Sequence, residues 1–429
     1  MSVKVAKPTA QEAKSNPREF SIYTLLDKNN DSIFEVQALQ DAAKQYGSKN
    51  PTVKEGNLKY SQLVDLLVKP GEPCEGKGDC LSWAAQDDSG QMAPWKLTRR
   101  QPGPEDIFLQ VVYCGVCHSD LHQLKNEWGN TSYPLVPGHE IAGIVCDMGK
   151  NVTGWRLGDK VGVGCFIDAC RNCHACEIKD DNYCPGCVLT YNSKDKEGNP
   201  THGGYSTHMI VDHRYCLRIP DNLQFDSVAP LLCAGITTYS PLMHYAMNKP
   251  GFKLGVVGLG GLGHMAVKFG KAMGLEVTVI STSDHKKQEA LEVLKADHFL
   301  ISKNEKEMQA HAKSLNGIID TVSAAHEMVP LLGLLDLNGK IVCVGVPPEP
   351  MSVPAFPLLA GRLSIGGSMI GGIKETQEML DFCGKHNVVC KCEIIPMQYI
   401  NTALERLVKN DVKYRFVIDV QNSVLLPPQ

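Results

Sequence analysis

Between Val256 and Gly263 the chain reads VVGLGGLG and runs on into HMAVKFGKAMG, so a short β-branched run meets glycines spaced G-x-G-x-x-G and then a helical pattern. Few features constrain a fold as tightly. The first glycine permits a tight turn, the second lets backbone approach a pyrophosphate, the third brings helix against strand, and the helix N-terminus meets the phosphate charge. The bland alternative is a merely tight strand-to-helix turn. From Ala234 onward, however, apolar runs (LEVTVIS, GIIDTVS, GKIVCVGV) alternate with helical stretches such as KKQEALEVLKA, which predicts a parallel sheet with crossover helices. An NAD site usually has an acidic residue about 20 positions on, to hold the ribose 2′-hydroxyl. Here the strand ends in Ser281, Thr282 and Ser283, with Lys286 and Lys287 one turn further. Hydroxyls and ammoniums suit a 2′-phosphate, which favours NADP(H). Asp284 is the counter-indication, and a solvated helix face is the plain alternative for the lysines.

Texture divides the 429 residues, too many for one ordinary core, into three regions. Residues 1 to 79 end in KPGEPCEGKGD, a linker composition. From Cys80 to Cys233, short β-branched runs broken by Gly, Pro and Asp predict a barrel-like β domain; the tail from Gly372 carries a helix (KETQEMLDFCGKHNV) and a strand (KYRFVIDV) able to return to it. The net charge of −4 supplies no basic field for nucleic acid or an anionic membrane, and no apolar run approaches a membrane span, which leaves a small soluble substrate. The first twenty residues lack the apolar segment of a secretory signal, so the expected location is cytoplasmic. Seventeen cysteines then sit in a reducing compartment, where clustered thiols bind metal more often than they form disulfides. The sequons at Asn130 and Asn151 are chance matches on that reading.

Five of those cysteines fall within CRNCHACEIKDDNYCPGC, and Cys170, Cys173, Cys176 and Cys184 follow C-x2-C-x2-C-x7-C. The seven-residue gap differs from the three of a bacterial ferredoxin run and favours zinc. Four thiolates close the coordination sphere, so this site is structural, with Cys187 spare.

From Cys80 to Val420 the chain resembles the zinc-dependent medium-chain alcohol dehydrogenases, most closely their cinnamyl alcohol dehydrogenase branch. The matching motifs are CGVCHSDLHQLKNEWG, YPLVPGHEIAG, the cysteine cluster, APLLCAGITTYSPL, VVGLGGLGHMAVK, VISTSDHKKQEAL, IIDTV and LVKNDVKYRFVIDV. The resemblance implies an α/β protein with a β-barrel. Residues 80–233 and 372–429 would form a GroES-like zinc catalytic domain and 234–371 a Rossmann NADP-binding domain. It implies two zinc ions per chain, the second held by Cys117, His139 and Cys233 with Glu140 beside it. Two thiolates and an imidazole leave a position open, as in a catalytic site. Ser119 falls at the family's hydroxyl position and His122 at its outer proton-relay position. Ser119, Thr237, the loop Gly258, Leu259, Gly260, Gly261, Leu262 and Gly263, then Ser281, Thr282, Ser283, Lys286, Thr321, Gly345, Ser368, Met369 and Ile370 fall where the family contacts NADP(H). The implied activity interconverts primary allylic or aromatic alcohols and their aldehydes, or terpenoid and aliphatic ones in the same branch; the implied assembly is a homodimer.

The chain departs from the branch at the substrate pocket. Leu189 stands where lignin-pathway enzymes carry tryptophan, Met369 where they carry phenylalanine and Glu127 where they often carry aspartate. Leu and Met make a more adaptable, aliphatic lining than flat aromatic walls, and Trp128 restores one aromatic face. Residues 18 to 68 lie outside the family's chain and resemble a degenerate EF-hand pair, giving a small α-helical N-terminal module. Asp27, Asn29 and Asp31 occupy the first three ligand positions, but Ala38 replaces the bidentate glutamate and Ser32 the turn glycine. The second loop, from Pro51 to Gln62, lacks key acidic ligands. The module is therefore read as a packing, dimerisation or partner-binding unit rather than a calcium site.

Overall fold

The protein is described here from a computed structural model, covering residues 2–5, 33–35, 56–58, 79–347 and 349–423. Ahead of residue 79 the described backbone is strand: Ser2–Val5 pairs antiparallel with Ile33–Glu35 and parallel with Gly56–Leu58. The helices of the expected EF-hand-like module, and the candidate ligands Asp27, Asn29 and Asp31, lie outside the described residues.

The β domain is built on one twisted sheet. Its strands run in the order Leu217–Arg218, Lys160–Val163, Ile141–Met148, Asp106–Gly115, Arg415–Asp419 and Cys392–Pro396, with His208–Asp212 also pairing on Asp106–Gly115. Asp106–Gly115 is the hub because it bonds three neighbours along its ten residues. The tail does return: Arg415–Asp419 lies antiparallel to Tyr113–Gly115. A hairpin, Asp79–Ala85 with Met92–Thr98, is joined to the body by bridges from Ser82 to Ser206 and Ala85 to Leu135.

The second sheet is wholly parallel, in the order His298–Ile301, Glu276–Ser281, Lys253–Val257, Leu315–Asp320, Leu335–Cys343, Ser364–Gly367. In chain order that is 3-2-1-4-5-6, the doubly wound arrangement with its switch point beside Lys253–Val257. Strands covered on both faces read as continuous apolar runs. Leu254, Val256, Val277, Val279, Ile318 and Ile319 are accordingly all at 0% exposure, each such burial stabilising by about 1.5–3 kcal/mol. The predicted helix KKQEALEVLKA is replaced by a 3-10 turn, Asp284–Lys286, and a π-helical turn, Glu289–Val293, where Leu294 N–H bonds back to Glu289 O at 3.0 Å. Local propensity does not distinguish these windings; here Glu289 is tied outward to Lys391 at 2.9 Å and Lys413 at 3.4 Å.

The helix Ile373–His386 binds the two halves together. Phe382 meets Tyr239 and Phe269 of the half built on the parallel sheet at centroid distances of 5.7 and 6.1 Å, and Met379, Leu380 and Cys383 enter a core that also holds Ala142, Leu217 and Val228. On the other side of the glycine turn, His264 is fully buried and stacks on Tyr414 at 4.5 Å. Nδ1–H donates to Gly260 O at 3.2 Å and Nε2 accepts the Lys391 N–H at 3.5 Å, a pattern only the neutral ring satisfies.

Burial, reinforced by the Lys268 and Arg415 charges, pushes the His264 pKa down to about 3. A histidine that must stay neutral contributes stability that is complete above its unfolded pKa of about 6.5 and is lost as pH falls from there toward the folded value. Denaturant unfolding of the unaltered protein and H264Q at pH 7 and pH 5 should show the stability difference between them shrinking at pH 5 by on the order of 1–2 kcal/mol. A difference independent of pH would contradict the assignment.

Candidate active site and metal centres

The helix His118–Leu124 starts directly after the hub strand, and its first turn is organised by Asp120. Asp120 is at 0% exposure and accepts from Cys117 N–H at 2.8 Å, Gly138 N–H at 3.1 Å and Tyr205 O–H at 3.3 Å, while lying 3.4 Å from His139 Nδ1. A carboxylate on one ring nitrogen fixes the tautomer and leaves Nε2 to face the thiols. His139 also stacks on Tyr191, 5.7 Å between centroids. Cys233 arrives from the start of the helix Ala234–His244, and its Sγ lies 3.9 Å from Cys117 Sγ.

Glu140 completes the group: one ligand atom from each of Cys117, His139, Glu140 and Cys233 lies within 4.8 Å of all the others. Glu140 is fully buried, its Oε1 accepts from Arg415 Nη2, and its Oε2 has no partner. Gly115 leaves the room this needs, since a Cβ there would come within 1.9 Å of Oε2. The hydrogen bond from Cys233 draws the Cys117 thiol well below its ordinary pKa, and burial lifts Glu140 to about 7 against the pull of Arg415. A tetrahedron with Zn–S of about 2.3 Å has edges of about 3.8 Å, so the sulfur pair, the oriented imidazole and the orphaned carboxylate oxygen fit a zinc ion. Asp120 and Arg415 were not anticipated from the sequence; the acid three residues past Cys117 was the only local sign of the first, and nothing local marked the second.

The four clustered cysteines also converge, again within 4.8 Å of one another. Cys173 Sγ lies 3.7 Å and Cys170 Sγ 4.0 Å from Cys176 Sγ, and Cys184 Sγ accepts the Cys170 and Gly186 N–H groups at 3.3 and 3.2 Å. The backbone N–H of Asn172, with help from Cys184, pulls Cys170 down to about 6, while burial pushes Cys176 up to about 12. A tetrathiolate zinc fits these edges equally well. Cys187 stays outside the quartet.

The glycine turn lies at the carboxyl end of the strand Lys253–Val257. Gly258 has φ +84°, a left-handed value, and a Cβ on Gly263 would come within 2.0 Å of Gly258 O. A Cβ on Gly260 would meet nothing within 4 Å, so this backbone borders open space. Thr321 Oγ1 donates to Val257 O at 2.7 Å beneath the turn, and Gly345 packs so closely that a Cβ would come within 2.4 Å of Val322 O. Lys286 is not a solvated lysine: Nζ donates to Leu259 O at 2.8 Å, which brings a cation to the turn beside the exposed Thr282 and Ser283. Thr237 is buried in the first turn of its helix, its N–H bonded to Cys233 O at 2.9 Å.

Ser119 Oγ lies 3.6 Å from Cys117 Sγ, and His122, three residues on, falls on the same helix face. His122 Nδ1 is 2.5 Å from Glu127 Oε2 and its ring is 5.2 Å from that of Trp128. Leu189 and Met369 are exposed, at 44% and 56%. A cavity of about 520 Å³ opens elsewhere on the β domain, lined by Arg99, Arg100, Asp106, Asp168, Arg171 and Asp212. It holds no thiol, and Arg100 and Arg171 are already paired to Asp106 and to Asp168 and Asp212, so the redox site is not there.

Residues 103–221 match the alcohol dehydrogenase GroES-like domain and residues 261–385 the zinc-binding dehydrogenase family. The chain is 58% identical over 344 residues to the 8-hydroxygeraniol dehydrogenase of Catharanthus roseus, covering 80% of this chain and 96% of that one. A cinnamyl alcohol dehydrogenase structure from Sorghum bicolor superposes with a TM-score of 0.79 at 51% identity, covering 80% and 98% of the two chains. The Helicobacter pylori CAD complexed with NADP(H) gives 0.76 at 40% identity, covering 80% and 99%. The chain belongs to the zinc-binding medium-chain alcohol dehydrogenases, with a GroES-like and a Rossmann-type unit, and it is an oxidoreductase of that family.

Because Asp120 holds His139, Cys117 N–H and Gly138 N–H at once, D120N should lower the affinity of the Cys117–His139–Cys233 site for zinc by about 10- to 100-fold. Competitive chelation of the purified protein measures this. Equal affinities in D120N and the unaltered protein would rule out the orienting role.

Proposed function

We propose that the protein is an NADP(H)-dependent alcohol dehydrogenase of primary allylic or aromatic alcohols and their aldehydes, carrying two zinc ions per chain. The observation that carries this reading is the contrast between two thiol groups. Four cysteines offer a closed set, whereas Cys117, His139 and Cys233 leave a fourth position to be shared between Glu140 Oε2 and a substrate oxygen. When bound, zinc supplies the Lewis acidity that lowers an alcohol's pKa or polarises a carbonyl, and NADP(H) supplies or accepts the hydride.

The chain's own residues hold and move the proton. Ser119 Oγ, beside Cys117, would accept the substrate hydroxyl proton while releasing its own toward His122, which lies on the same helix face with its Nδ1 held by Glu127 and exchanges a proton with water. Gly258 to Gly263 cradle the pyrophosphate. Lys286 with Ser281, Thr282 and Ser283 favours the 2′-phosphate of NADP(H); Thr237, Thr321, Gly345 and Ser368 to Ile370 line the remainder of the cofactor's path. Residues 80–233 and 372–429 are assigned to the catalytic domain and 234–371 to the nucleotide domain, with Ile373–His386 packed on both.

A second reading, terpenoid or aliphatic aldehydes, is favoured by the exposed Leu189 and Met369, which replace flat walls with flexible ones, and by the relative that acts on 8-hydroxygeraniol. A homodimer is favoured by two separate features a second copy could cover: the edge strand Ser364–Gly367, which pairs on one side only among the described residues, and the side chains of Phe356 and Leu359, each 78% exposed. A cytoplasmic location is favoured because no disulfide joins any two of the described cysteines; no helix among the described residues is long and apolar enough to cross a membrane.

Turnover of cinnamaldehyde and a linear terpenoid aldehyde with NADPH and with NADH tests the reading. NADPH should be preferred by at least about tenfold, as one charge-assisted contact to the 2′-phosphate requires, and C233S should abolish turnover while the protein still melts cooperatively. A preference for NADH, or an active C233S, would overturn it.

A further inference from the structure

The turn that leaves the last strand of the parallel sheet carries unusual strain. Ile370 has φ +47°, a left-handed value that a β-branched residue almost never adopts; such a conformation is strained and persists only when its surroundings hold it. The surroundings here are three consecutive residues of the thiolate lobe, just before Cys184. Tyr183 Oη accepts the Met369 N–H at 3.0 Å, Asn182 Nδ2 donates to Met369 O at 2.8 Å, and Asp181 Oδ1 accepts the Ile373 N–H at 3.1 Å. The backbones are also close-packed, since a Cβ on Gly372 would fall 2.1 Å from Lys179 O. Three hydrogen bonds from one short segment hold the turn against the strain at Ile370.

Position gives the clamp its consequence. Ser368 N–H is bonded to Cys343 O at 3.2 Å, so the turn emerges at the carboxyl ends of the strands, where open α/β sheets bind their ligands. Ile370 and Gly371 then line a small cavity with Cys165 and Phe166 of the β domain. Asn182 is 4% exposed, and its Oδ1 is buried with no partner, an acceptor left free on the same side chain that grips Met369.

We propose that Asp181, Asn182 and Tyr183 form a latch by which the thiolate lobe positions the turn Ser368–Ile373, setting the wall of the cofactor cleft from the opposite half of the molecule. The three are positioning residues, and the proposal rests on the NADP(H) reading above. It gives the lobe a task beyond stability, namely holding a strained turn in shape at the wall of the cofactor cleft.

Y183F removes one hydroxyl from a half-exposed ring and nothing else, and N182A removes the second grip. NADPH affinity, followed by the quenching or enhancement of its fluorescence on binding, should weaken by about 3- to 10-fold in Y183F and at least as much in N182A. Hydrogen exchange at the Met369 amide should quicken in Y183F, with zinc content and melting temperature unchanged. If Y183F keeps its NADPH affinity within twofold and its Met369 amide stays protected, or if the affinity falls only together with zinc content, the latch is refuted. If the unaltered protein does not bind NADPH at all, the cofactor reading fails first.

Discussion

A buried carboxylate–guanidinium pair, Glu140 with Arg415, stands at the centre of this molecule. Both side chains are buried, and the pair joins residues 275 positions apart. Removing two charges from water costs several kcal/mol each, repaid only where geometry and further partners are right. Two glycines supply that geometry: Gly115 makes room for Glu140 Oε2, and Gly261 for Arg415, whose Cδ and Nη1 would stand 2.9 Å from a Cβ there. Arg415 thus touches the nucleotide turn with one side and the thiol site with the other. Its strand, Arg415–Asp419, completes the β-domain sheet, so the tail of the chain carries the charge that couples the two halves.

The two thiol groups show how the same ligand chemistry takes different roles. The quartet is local, drawn from fifteen residues with short turns, and its sulfurs are mutually sufficient. The other set is assembled from the end of the hub strand, the loop before Ile141 and the start of a helix beyond residue 233. Such a site exists only when the whole β domain is folded, and Asp120 is what makes it single-valued by bonding Cys117 and Gly138 backbone and facing His139. A carboxylate that held only one of these would leave the imidazole free to rotate.

Much of this was readable in the chain. G-x-G-x-x-G between a β-branched run and a helical run, followed by alternating apolar and helical stretches, pointed to a doubly wound sheet, and Gly260 borders open space. The C-x2-C-x2-C-x7-C spacing was self-contained. The dispersed set was joined by resemblance alone, since distance along a chain does not encode convergence. Asp120 and Arg415 escaped because their meaning lies in partners that only the fold supplies: an acid in HSDLH and a base in KYRFVIDV look like ordinary surface charges. The same limit hid the π-helical turn at Glu289–Val293, whose composition is that of any helix.

The lobe between Cys170 and Cys184, whose four thiols could hold a metal ion, also touches the turn that follows the last strand of the parallel sheet. A zinc ion held by these four thiols would restrain the fifteen residues between Cys170 and Cys184 at once, and would make this a stiff loop. Stiffness is what a strained residue requires of its support. Ile370 can hold a left-handed backbone at the edge of the cleft because Asp181, Asn182 and Tyr183 stand on that closed loop rather than on a free one. The separation between a cluster that holds the fold and a cluster that does the redox work therefore breaks down at one turn, where the first supplies the shape of the space the second needs.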